Sequence, residues 1–391
     1  MKKKKIKIIA ISVARSDYDR YLPILNQLHN NKKVELKLFI SKDHLNPKFG
    51  KTINFIDKKF ILIKKNYNNF DFLKDQRENL SDDLSFFNKK IKSINPNLII
   101  VLGDRYEMLL GPALSIPNKI PLVHFFGGAV TEGSADELTR HALTKMSHIH
   151  FVALKEYKKR LLQLGEESWR VYNIGIPSLQ SFKDIKFKNR NCLTKKIKFN
   201  FNNKYALLTY HPALDELDKI KENLDLIEKV IKKENLNLII TYPNSDLGNK
   251  LIINYYKKKF INKKKFKIIK NCGQDTFLNI AKYSNFMIGN SSSGIVESAS
   301  LKIPVINLGN RQKGKLHPKN VINCSFNERA ILAAIKKIKS NSYSNSISNL
   351  KNPYEKKNKL NISNILLKLI KNKKILNKKF INFNKKSNYV R

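Results

Sequence analysis

The fold is decided by the stretch MIGNSSSGIVESA, which spans residues 287–299. An apolar run ends in a turn of small, hydroxyl-bearing residues, and a segment that can form a helix follows it, which predicts a strand, a turn and a helix start. Unpaired N–H groups and the positive end of the helix dipole would favour a phosphate near Ser291 and Ser292. Glu297 lies on the same helix face as Ser293, within reach of a polyol. The stretch therefore indicates a nucleoside diphosphate site, or else two serines that merely cap a structural helix.

Outward from this stretch, apolar runs alternate with helical patterns along the whole chain. LIIVL (98–102) reads as a strand buried on both faces, and YALLTY (205–210) opens a second alternating series. This alternation predicts βαβ units and parallel sheets, whose ligands bind beyond the carboxyl ends of the strands. A helix is expected from about residue 19 to 29.

The length of 391 residues suits two domains of ordinary size. We expect an α/β protein with two Rossmann-like, doubly wound domains and an interdomain cleft. The predicted division is an N-terminal domain at 1–180, an irregular connection at 181–203, a C-terminal domain at 204–375, and a basic, poorly ordered tail at 376–391.

The composition carries a formal net charge of +45, from 76 Lys and Arg against 31 Asp and Glu. Such an excess is typical of proteins that bind nucleic acid, an anionic membrane surface or a phosphorylated substrate. The lysines are spread over the whole length, which favours a solvated lysine-rich surface instead. No zinc pattern or nucleic-acid module stands out, so we expect no nucleic-acid partner and no metal.

Cysteine usage and hydropathy indicate a cytoplasmic protein. Cys192, Cys272 and Cys324 are far apart in the sequence, which suggests a reducing compartment without disulfides. No run approaches the ~20 apolar residues of a membrane span, so no stable membrane insertion is expected. The segment 6–14 follows four lysines and resembles a short signal peptide, but Lys7 interrupts it, and a first buried strand is favoured.

Polar residues gather at the predicted strand ends of both halves. The candidates are Arg15, Asp104, Arg105, Glu132, Asp136 and Arg140 in the first half, and His211, Ser291, Ser292, Glu297 and Arg311 in the second. Each has an ordinary explanation: Arg105 could pair with Asp104 or Glu107, His211 could be a satisfied turn histidine, and Arg140 could be a charge on a helix face. Their recurrence at strand ends favours phosphate binding and acid–base chemistry.

These residues carry a resemblance to a known family. Three stretches resemble the hydrolysing UDP-N-acetylglucosamine 2-epimerases, which begin sialic and related nonulosonic acid synthesis: GDRYE (103–107), the segment from Gly127 to RHALTK (140–145), and the segment from NSS (290–292) to PVINLGNRQ (304–312). The similarity runs in order from about Ile8 to Ile335. It implies a two-domain fold of the glycosyltransferase-B type that binds UDP in the cleft, without metal or nicotinamide cofactor.

The resemblance also implies a reaction and roles for the residues. Family members eliminate UDP across C1 and C2 of the sugar, and water then adds to the 2-acetamidoglucal to release N-acetylmannosamine. By position, Ser291, Ser292 and Arg311 would hold phosphate and Glu297 the ribose, while Arg15, Arg105 and Arg140 would add positive charge for the UDP-sugar. Asp104, Asp136 and His211 match catalytic positions, with acid and base left unassigned.

One departure from the family pattern bears on catalysis. Many relatives carry Glu at the third position of a His-x-Glu-Gly-Gly stretch or directly after the glycines, where this chain has Phe126 and Ala129. Glu132, in the same loop, could replace it or could be a solvent-facing charge. The leading hypothesis is a hydrolysing 2-epimerase of a UDP-2-acetamido sugar, with UDP-GlcNAc as the first candidate substrate. The alternatives are a sugar transferase and a nucleotide-sugar binding protein with impaired catalysis; a homo-oligomer is compatible with each.

Overall fold

The structure, a computed structural model, describes residues 4–382 except 47–50, 66–75, 133, 135, 181, 183–184, 245, 247, 262, 271 and 357–359, and it leaves the side chains of 15, 16, 42, 43 and 76–79 undescribed. The chain divides into two compact units. The first unit contains the chain up to Ala129, residues 136–181 and the chain from Tyr354 onward. The second contains 130–135 and 182–353.

The first unit is built on a seven-stranded parallel sheet with the strand order β3-β2-β1-β4-β5-β6-β7. The central strands are almost entirely apolar and buried, which follows from helices covering both sheet faces. The strands are β1 (Ile6–Ser12), β2 (Val34–Ile40), β3 (Ile61–Lys64), β4 (Leu98–Leu102), β5 (Leu122–Phe125), β6 (Ile149–Val152) and β7 (Val171–Asn173).

The helices of the first unit come from both ends of the chain. They are α1 (Arg15–His29), α2 (Gln76–Ile94), α3 (Leu110–Ser115), α4 (Asp136–Met146), α5 (Lys155–Gln163), α6 (Pro177–Gln180) and, near the C-terminus, α14 (Ile362–Ile370). Helix α14 packs into the core that α1 and β1 form, with Leu366 fully buried. Its first N–H group donates to the Gln27 side chain at 2.8 Å, which ties α14 to the end of α1.

The second unit has a six-stranded parallel sheet with the order β10-β9-β8-β11-β12-β13. Its strands are β8 (Tyr205–Thr209), β9 (Asn237–Thr241), β10 (Phe266–Ile269), β11 (Phe286–Gly289), β12 (Val305–Leu308) and β13 (Val321–Cys324). Its helices are α7 (Arg190–Ile197), α8 (Ile220–Lys233), α9 (Asn249–Phe260), α10 (Gly273–Tyr283), α11 (Glu297–Leu301), α12 (Glu328–Ile338) and α13 (Asn341–Ser348). Both sheets confirm the predicted doubly wound α/β class.

The boundaries of the two units differ from the predicted division. The chain from Tyr354 onward, α14 included, belongs to the first unit, whereas the prediction assigned residues up to 375 to the second domain. The short segment 130–135 belongs to the second unit. The connection at 181–203, expected to be irregular, contains α7, whose N-cap Asn189 accepts a hydrogen bond from the N–H of Cys192.

Part of the predicted basic tail, up to residue 382, is described, and it contacts the first unit. The fully buried Arg170 guanidinium donates to the carbonyls of Ile375 and Asn377 at 2.7 and 2.8 Å. Lys378 reaches the buried Glu166 at 2.7 Å and donates to the Ser147 carbonyl at 2.7 Å, beyond the last turn of α4. Burial lowers the pKa of Lys378 to about 8. These contacts of charged side chains attach the segment to the first unit. Its Lys-rich composition gave no sign of them. Residues 383–391 lie outside the described part.

Within the described ranges, no helix has the length and apolar character required to cross a bilayer.

Candidate active site

The first sheet places its polar edge at the point where the strand order reverses. β1 and β4 are neighbours, and their connections leave the sheet in opposite directions, which opens a crevice at their carboxyl ends. Gly103, at φ 82°, turns the chain sharply at the end of β4, and Asp104 and Arg105 follow. The buried His124 supports this turn through a 2.7 Å contact between its Nε2 and the Gly103 carbonyl.

Asp104 is held by a buried arginine of α4. The Arg140 guanidinium, 1% exposed, donates through Nε to Asp104 Oδ2 at 3.2 Å, and its terminal nitrogens pair with Asp104 and Glu137. It also donates to the Ala129 carbonyl at 3.1 Å. Burial alone would lower the pKa of Arg140, but the neighbouring carboxylates of Asp104 and Glu137 raise it above its usual value. The pair is therefore charged, and Asp104 presents a fixed proton acceptor.

Asp136 lies one turn before Arg140, at the first residue of α4. Its negative charge is among those that raise the pKa of Arg140. Glu137 in turn contacts His141 Nε2 at 3.0 Å. Asp104 thus pairs with the Arg140 guanidinium and Asp136 lies one helical turn before Arg140, which lies behind Asp104 as the residue that orients it.

The other charged candidates of the first half have different surroundings. Arg105 forms a bidentate pair with Glu107, at 2.6 and 3.2 Å, which was one of the explanations left open by the sequence. Arg15 is the first residue of α1, and its side chain lies outside the described part. Glu132 belongs to the second unit, where its exposed carboxylate pairs with Lys313 at 2.8 Å.

The two positions where relatives carry glutamate are apolar in space as well. Phe126 directly follows β5 at φ 67°, and its N–H donates to the Phe151 carbonyl at 2.7 Å. Its ring lies edge-on to Phe125 with 6.2 Å between centroids. Ala129 is buried and offers only its carbonyl to Arg140. This edge of the sheet thus has an aromatic side chain where a carboxylate was expected.

The second sheet repeats this arrangement where β8 and β11 meet, because the strand order also reverses there. Asn290, fully buried after β11, joins the two strand ends. Its Oδ1 accepts the His211 N–H at 2.7 Å, and its Nδ2 donates to the His211 carbonyl at 2.9 Å. Both the Arg311 guanidinium and the Gln312 amide donate to the Asn290 carbonyl. The Asn290 side chain thus pairs with both backbone groups of His211, as the backbone of a neighbouring strand would.

The protonation state of His211 follows from its contacts. Its Nδ1 lies 3.1 Å from the Asn244 backbone nitrogen, which can only donate, so Nδ1 is an acceptor without a proton. Burial, and secondarily the charge of Arg311, lower the pKa of His211 to about 3. The ring is therefore neutral near pH 7 with its proton on Nε2. Such a ring donates a hydrogen bond but has no free nitrogen with which to act as a base.

The remaining predicted phosphate and ribose residues lie along the same edge. Arg311 donates to the Pro212 carbonyl at 3.2 Å and pairs with Asp246 at 3.1 Å, so the guanidinium braces the loops after β8 and β9. Ser291 caps a 3-10 turn at Ser292–Gly294, and α11 begins only at Glu297. The predicted single helix start is thus two short pieces. Glu297 is buried at the first position of α11.

With this geometry in place, comparison with known proteins decides the family. The sequence model of the family described as UDP-N-acetylglucosamine 2-epimerase matches residues 26–366. The chain belongs to this epimerase family. The match includes all the predicted site residues except Arg15.

Curated relatives of this epimerase agree with the family assignment. A Campylobacter jejuni protein named GDP/UDP-N,N'-diacetylbacillosamine 2-epimerase (hydrolyzing) is 37% identical over 335 residues, which cover 83% of this chain and 85% of that protein. A Legionella pneumophila protein named UDP-N,N'-diacetylbacillosamine 2-epimerase (hydrolyzing) is 33% identical, covering 84% and 88%. An Escherichia coli protein named polysialic acid biosynthesis protein P7 is 30% identical, covering 94% and 95%.

Solved structures show the same fold. UDP-GlcNAc 2-epimerase from Neisseria meningitidis, solved with UDP-GlcNAc bound, superposes with a TM-score of 0.76 at 17% identity and covers 93% of this chain and 99% of that one. The Methanocaldococcus jannaschii enzyme, in complex with UDP-GlcNAc and UDP, gives 0.74 at 21% identity with the same coverage. The expected two-domain architecture of the glycosyltransferase-B type is thereby confirmed.

Several polar residues at the edge of this epimerase's second sheet were missed by sequence reasoning. Asn290 was part of the stretch that opened the sequence argument, yet nothing in its neighbours indicates that it bonds to a strand end 79 residues away. Asn244, Asp246 and Gln312 also take part in this edge. The sequence feature that could have identified them is their position as polar residues in the loops after apolar strands.

Proposed function

We propose that this epimerase hydrolyses and epimerises a UDP-2-acetamido sugar, and that its sugar is the 2,4-diacetamido-6-deoxy type carried by UDP-N,N'-diacetylbacillosamine. The observation that carries the reaction is the pairing of Asp104 with the buried Arg140, one helical turn after Asp136, at the switch point of a parallel sheet. The family membership supplies the chemistry that such carboxylates would perform.

The reaction explains why these groups are needed. The C2 hydrogen is not acidified by a neighbouring carbonyl, so departure of UDP must lead and leave cationic character at C1. The C1–O electron pair leaves with UDP, the C2–H pair forms the C1=C2 bond, and the C2 proton passes to a carboxylate. Water then supplies hydroxide to C1, and a proton returns to C2 from the opposite face. The products are UDP and the free 2-epimer.

Two groups of the first unit suit the proton transfers. Asp104 is ionised against Arg140 and is 32% exposed, which fits the base that accepts the C2 proton. Asp136 lies one turn before the same arginine. As a carboxylate it can take the proton that the water releases on adding to C1 and pass this proton to C2. Glu132 is exposed and paired with Lys313, and we give it no part in these steps.

The second unit would bind UDP. The neutral Nε2–H of His211 is a donor suited to the negative charge that develops on the departing diphosphate. Ser291, Ser292 and Glu297 lie at the carboxyl edge of the same sheet and retain their proposed contacts with phosphate and ribose. Arg311, which braces the loops at this edge, adds positive charge behind them.

The choice of sugar rests on the relatives and on Phe126. The Campylobacter and Legionella proteins are both named for the diacetylbacillosamine substrate. A phenyl ring at the carboxyl end of β5 suits the methyl groups of a 6-deoxy, 4-acetamido sugar better than the hydroxyl groups of GlcNAc, because a hydroxyl next to a ring loses a hydrogen-bond partner. UDP-GlcNAc is the competing substrate.

Product identification by NMR in deuterated water tests the proposal. UDP-N,N'-diacetylbacillosamine and UDP-GlcNAc are supplied side by side, and the former should give UDP and a 2-epimer deuterated at C2, with kcat/KM about tenfold or more above UDP-GlcNAc. A preference for UDP-GlcNAc would refute the choice of sugar but not the reaction. Tight UDP binding without turnover of either would select the alternative of a nucleotide-sugar binding protein.

A further inference from the structure

Helix α4 carries two residues of the proposed reaction near its start, and a lysine from near the C-terminus holds its other end. Lys378 Nζ donates to the carbonyls of Thr144 and Lys145, in the last turn of α4, at 3.2 and 2.8 Å. It also donates to the Ser147 carbonyl, just beyond the helix, at 2.7 Å. A helix leaves its last carbonyls without intrahelical partners and has its negative dipole end there, so an ammonium group at this position stabilises it.

The Lys378 ammonium is itself held in place by the interior of the first unit. It pairs with the buried Glu166 carboxylate at 2.7 Å. The carbonyl of the preceding residue, Asn377, accepts from the fully buried Arg170 guanidinium at 2.8 Å. Lys378 therefore joins the end of α4 to groups whose own positions are fixed by burial and pairing.

Two contacts lead from the last turn of α4 to the proposed site. The hydroxyl of Thr144, which is fully buried, donates to the Arg140 carbonyl at 3.0 Å and lies 3.3 Å from His124 Nδ1. His124 Nε2 lies 2.7 Å from the Gly103 carbonyl and carries the ring proton, and burial lowers the pKa of this histidine to about 3, so Nδ1 is an acceptor. The single Thr144 hydrogen thus serves both acceptors. Since Gly103 directly precedes Asp104, both members of the Asp104–Arg140 pair are connected to this turn.

The charge of Lys378 depends on pH within the range in which an enzyme is assayed. The titratable groups that interact with its ammonium are Glu166, Lys145, Arg170, His148 and His150. Burial, the largest effect, lowers the pKa of Lys378 to about 8, the carboxylate opposes this, and the two cations add to it. Both histidines are neutral near pH 7, because burial lowers their pKa values. Lys378 therefore loses its charge as the pH rises through about 8.

We propose that Lys378 is a positioning residue for the proton transfers: by holding the last turn of α4, it fixes the helix that presents Asp136 and Arg140. Arg140 in turn orients Asp104. This inference rests on the proposed function, which assigns the protons to these two carboxylates. A neutral amine at Lys378 has one hydrogen fewer and no charge for Glu166, so it holds the turn less firmly. Small displacements of reacting groups lower kcat, whereas UDP, bound by the second unit, keeps its affinity.

The first test is the pH dependence of kcat at saturating UDP-sugar, followed by UDP release. The wild-type kcat should fall about tenfold between about pH 7 and 9. Lys378→Arg keeps a charged donor that does not titrate in this range, so its kcat should stay within a few-fold of the wild type at pH 7 and should lack this fall. Lys378→Met keeps the aliphatic stem without the charge, and should show about tenfold lower kcat at pH 7 with unchanged KM. Lys379→Met, the same change at the next, exposed residue, should behave as the wild type.

Amide hydrogen exchange, followed by mass spectrometry at pH 7, separates this inference from the proposed function. In Lys378→Met, exchange should be about tenfold faster in 136–146 and in 103–107 than in the wild type, with near-UV circular dichroism and UDP affinity unchanged. This result would support the hold of Lys378 on α4 even if neither UDP-sugar were turned over. Wild-type kcat or wild-type exchange in folded Lys378→Met would overturn the inference, as would a fall in kcat near pH 8 that Lys378→Arg shares in full.

Discussion

The neutral state of His211 leads to a prediction that separates a hydrogen-bond donor from an acid–base catalyst. Two substitutions divide the functions of its ring. In His211→Asn the side-chain oxygen can occupy the place of Nδ1 and still accept from the Asn244 N–H, but the donor at the Nε2 position is lost. In His211→Gln a donor can reach the Nε2 position, while the contact with Asn244 is given up.

The size of the effect follows from the bond that each variant lacks. A hydrogen bond to a charged group contributes about 1.5 to 3 kcal/mol, so removal of the Nε2–H donor should lower kcat/KM about 10- to 150-fold in His211→Asn. His211→Gln loses a bond between neutral groups, worth about 0.5 to 1.5 kcal/mol, and should lose about tenfold or less. His211→Gln, which keeps a donor at the Nε2 position, should therefore be the more active of the two variants.

The assay is continuous UDP release from the UDP-sugar, across a range of pH. Because burial lowers the pKa of His211 to about 3, the wild-type profile should show no step from this residue between about pH 5 and 8, and the two variants should keep the wild-type shape. A step near the ordinary histidine pKa that both variants abolish, with equal losses of about 10² to 10⁴, would refute the neutral-donor assignment. Wild-type rates in both variants would remove His211 from the reaction.

Three further predictions concern Asp104, Asn290 and Glu166. Asp104→Asn should abolish turnover, a loss of about 10² to 10⁴ or more, while UDP affinity stays within a few-fold by calorimetry; turnover near the wild-type rate would exclude Asp104. Asn290→Ala leaves both backbone groups of His211 unpaired and should lower the free energy of unfolding in urea by about 2 to 4 kcal/mol. Burial alone would raise the pKa of Glu166, but its contacts with His150 and two lysines lower that pKa to about 2. The ionised carboxylate therefore contributes stability above about pH 4.5, and this contribution is lost as the pH falls toward 2. Glu166→Gln should cost about 3 kcal/mol at pH 7 and flatten this acid dependence, unlike the exposed Glu156→Gln.

The central strands and the polar residues at their carboxyl ends were predictable, because a strand buried on both faces is a continuous apolar run in the sequence. β4 matches the apolar run from which it was predicted, residue for residue. The edge strands β3 and β13 were missed, since half-exposed strands mix polar and apolar residues without a clear period. α1 begins four residues earlier than expected because Asp17, inside the helix, caps it from the third position.

The residues of the site were predictable from the sequence, but the hydrogen bonds and ion pairs among them were not. Asp104 and Arg140 were both identified as strand-end or helix residues, yet the sequence could not show that the arginine is buried against the aspartate 36 residues away. His211 was assigned to catalysis without a protonation state, which depends on one backbone N–H from the loop after β9. Arg105 could be placed at the edge, but its pairing with Glu107 depends on the 3-10 turn that follows. Long-range pairing is a property of the fold.

The return of the chain to the first unit sets the order in which the protein can be completed during synthesis. The second unit is formed almost entirely by residues 182–353, so it can fold once that stretch has left the ribosome. The first unit begins to be made earlier but must wait for α14, and for the carbonyls that Arg170 binds near residues 375 and 377. Until then its core lacks Leu366 and the side of α1 that packs against α14 is uncovered, so the nascent first unit exposes apolar surface for longer than the second.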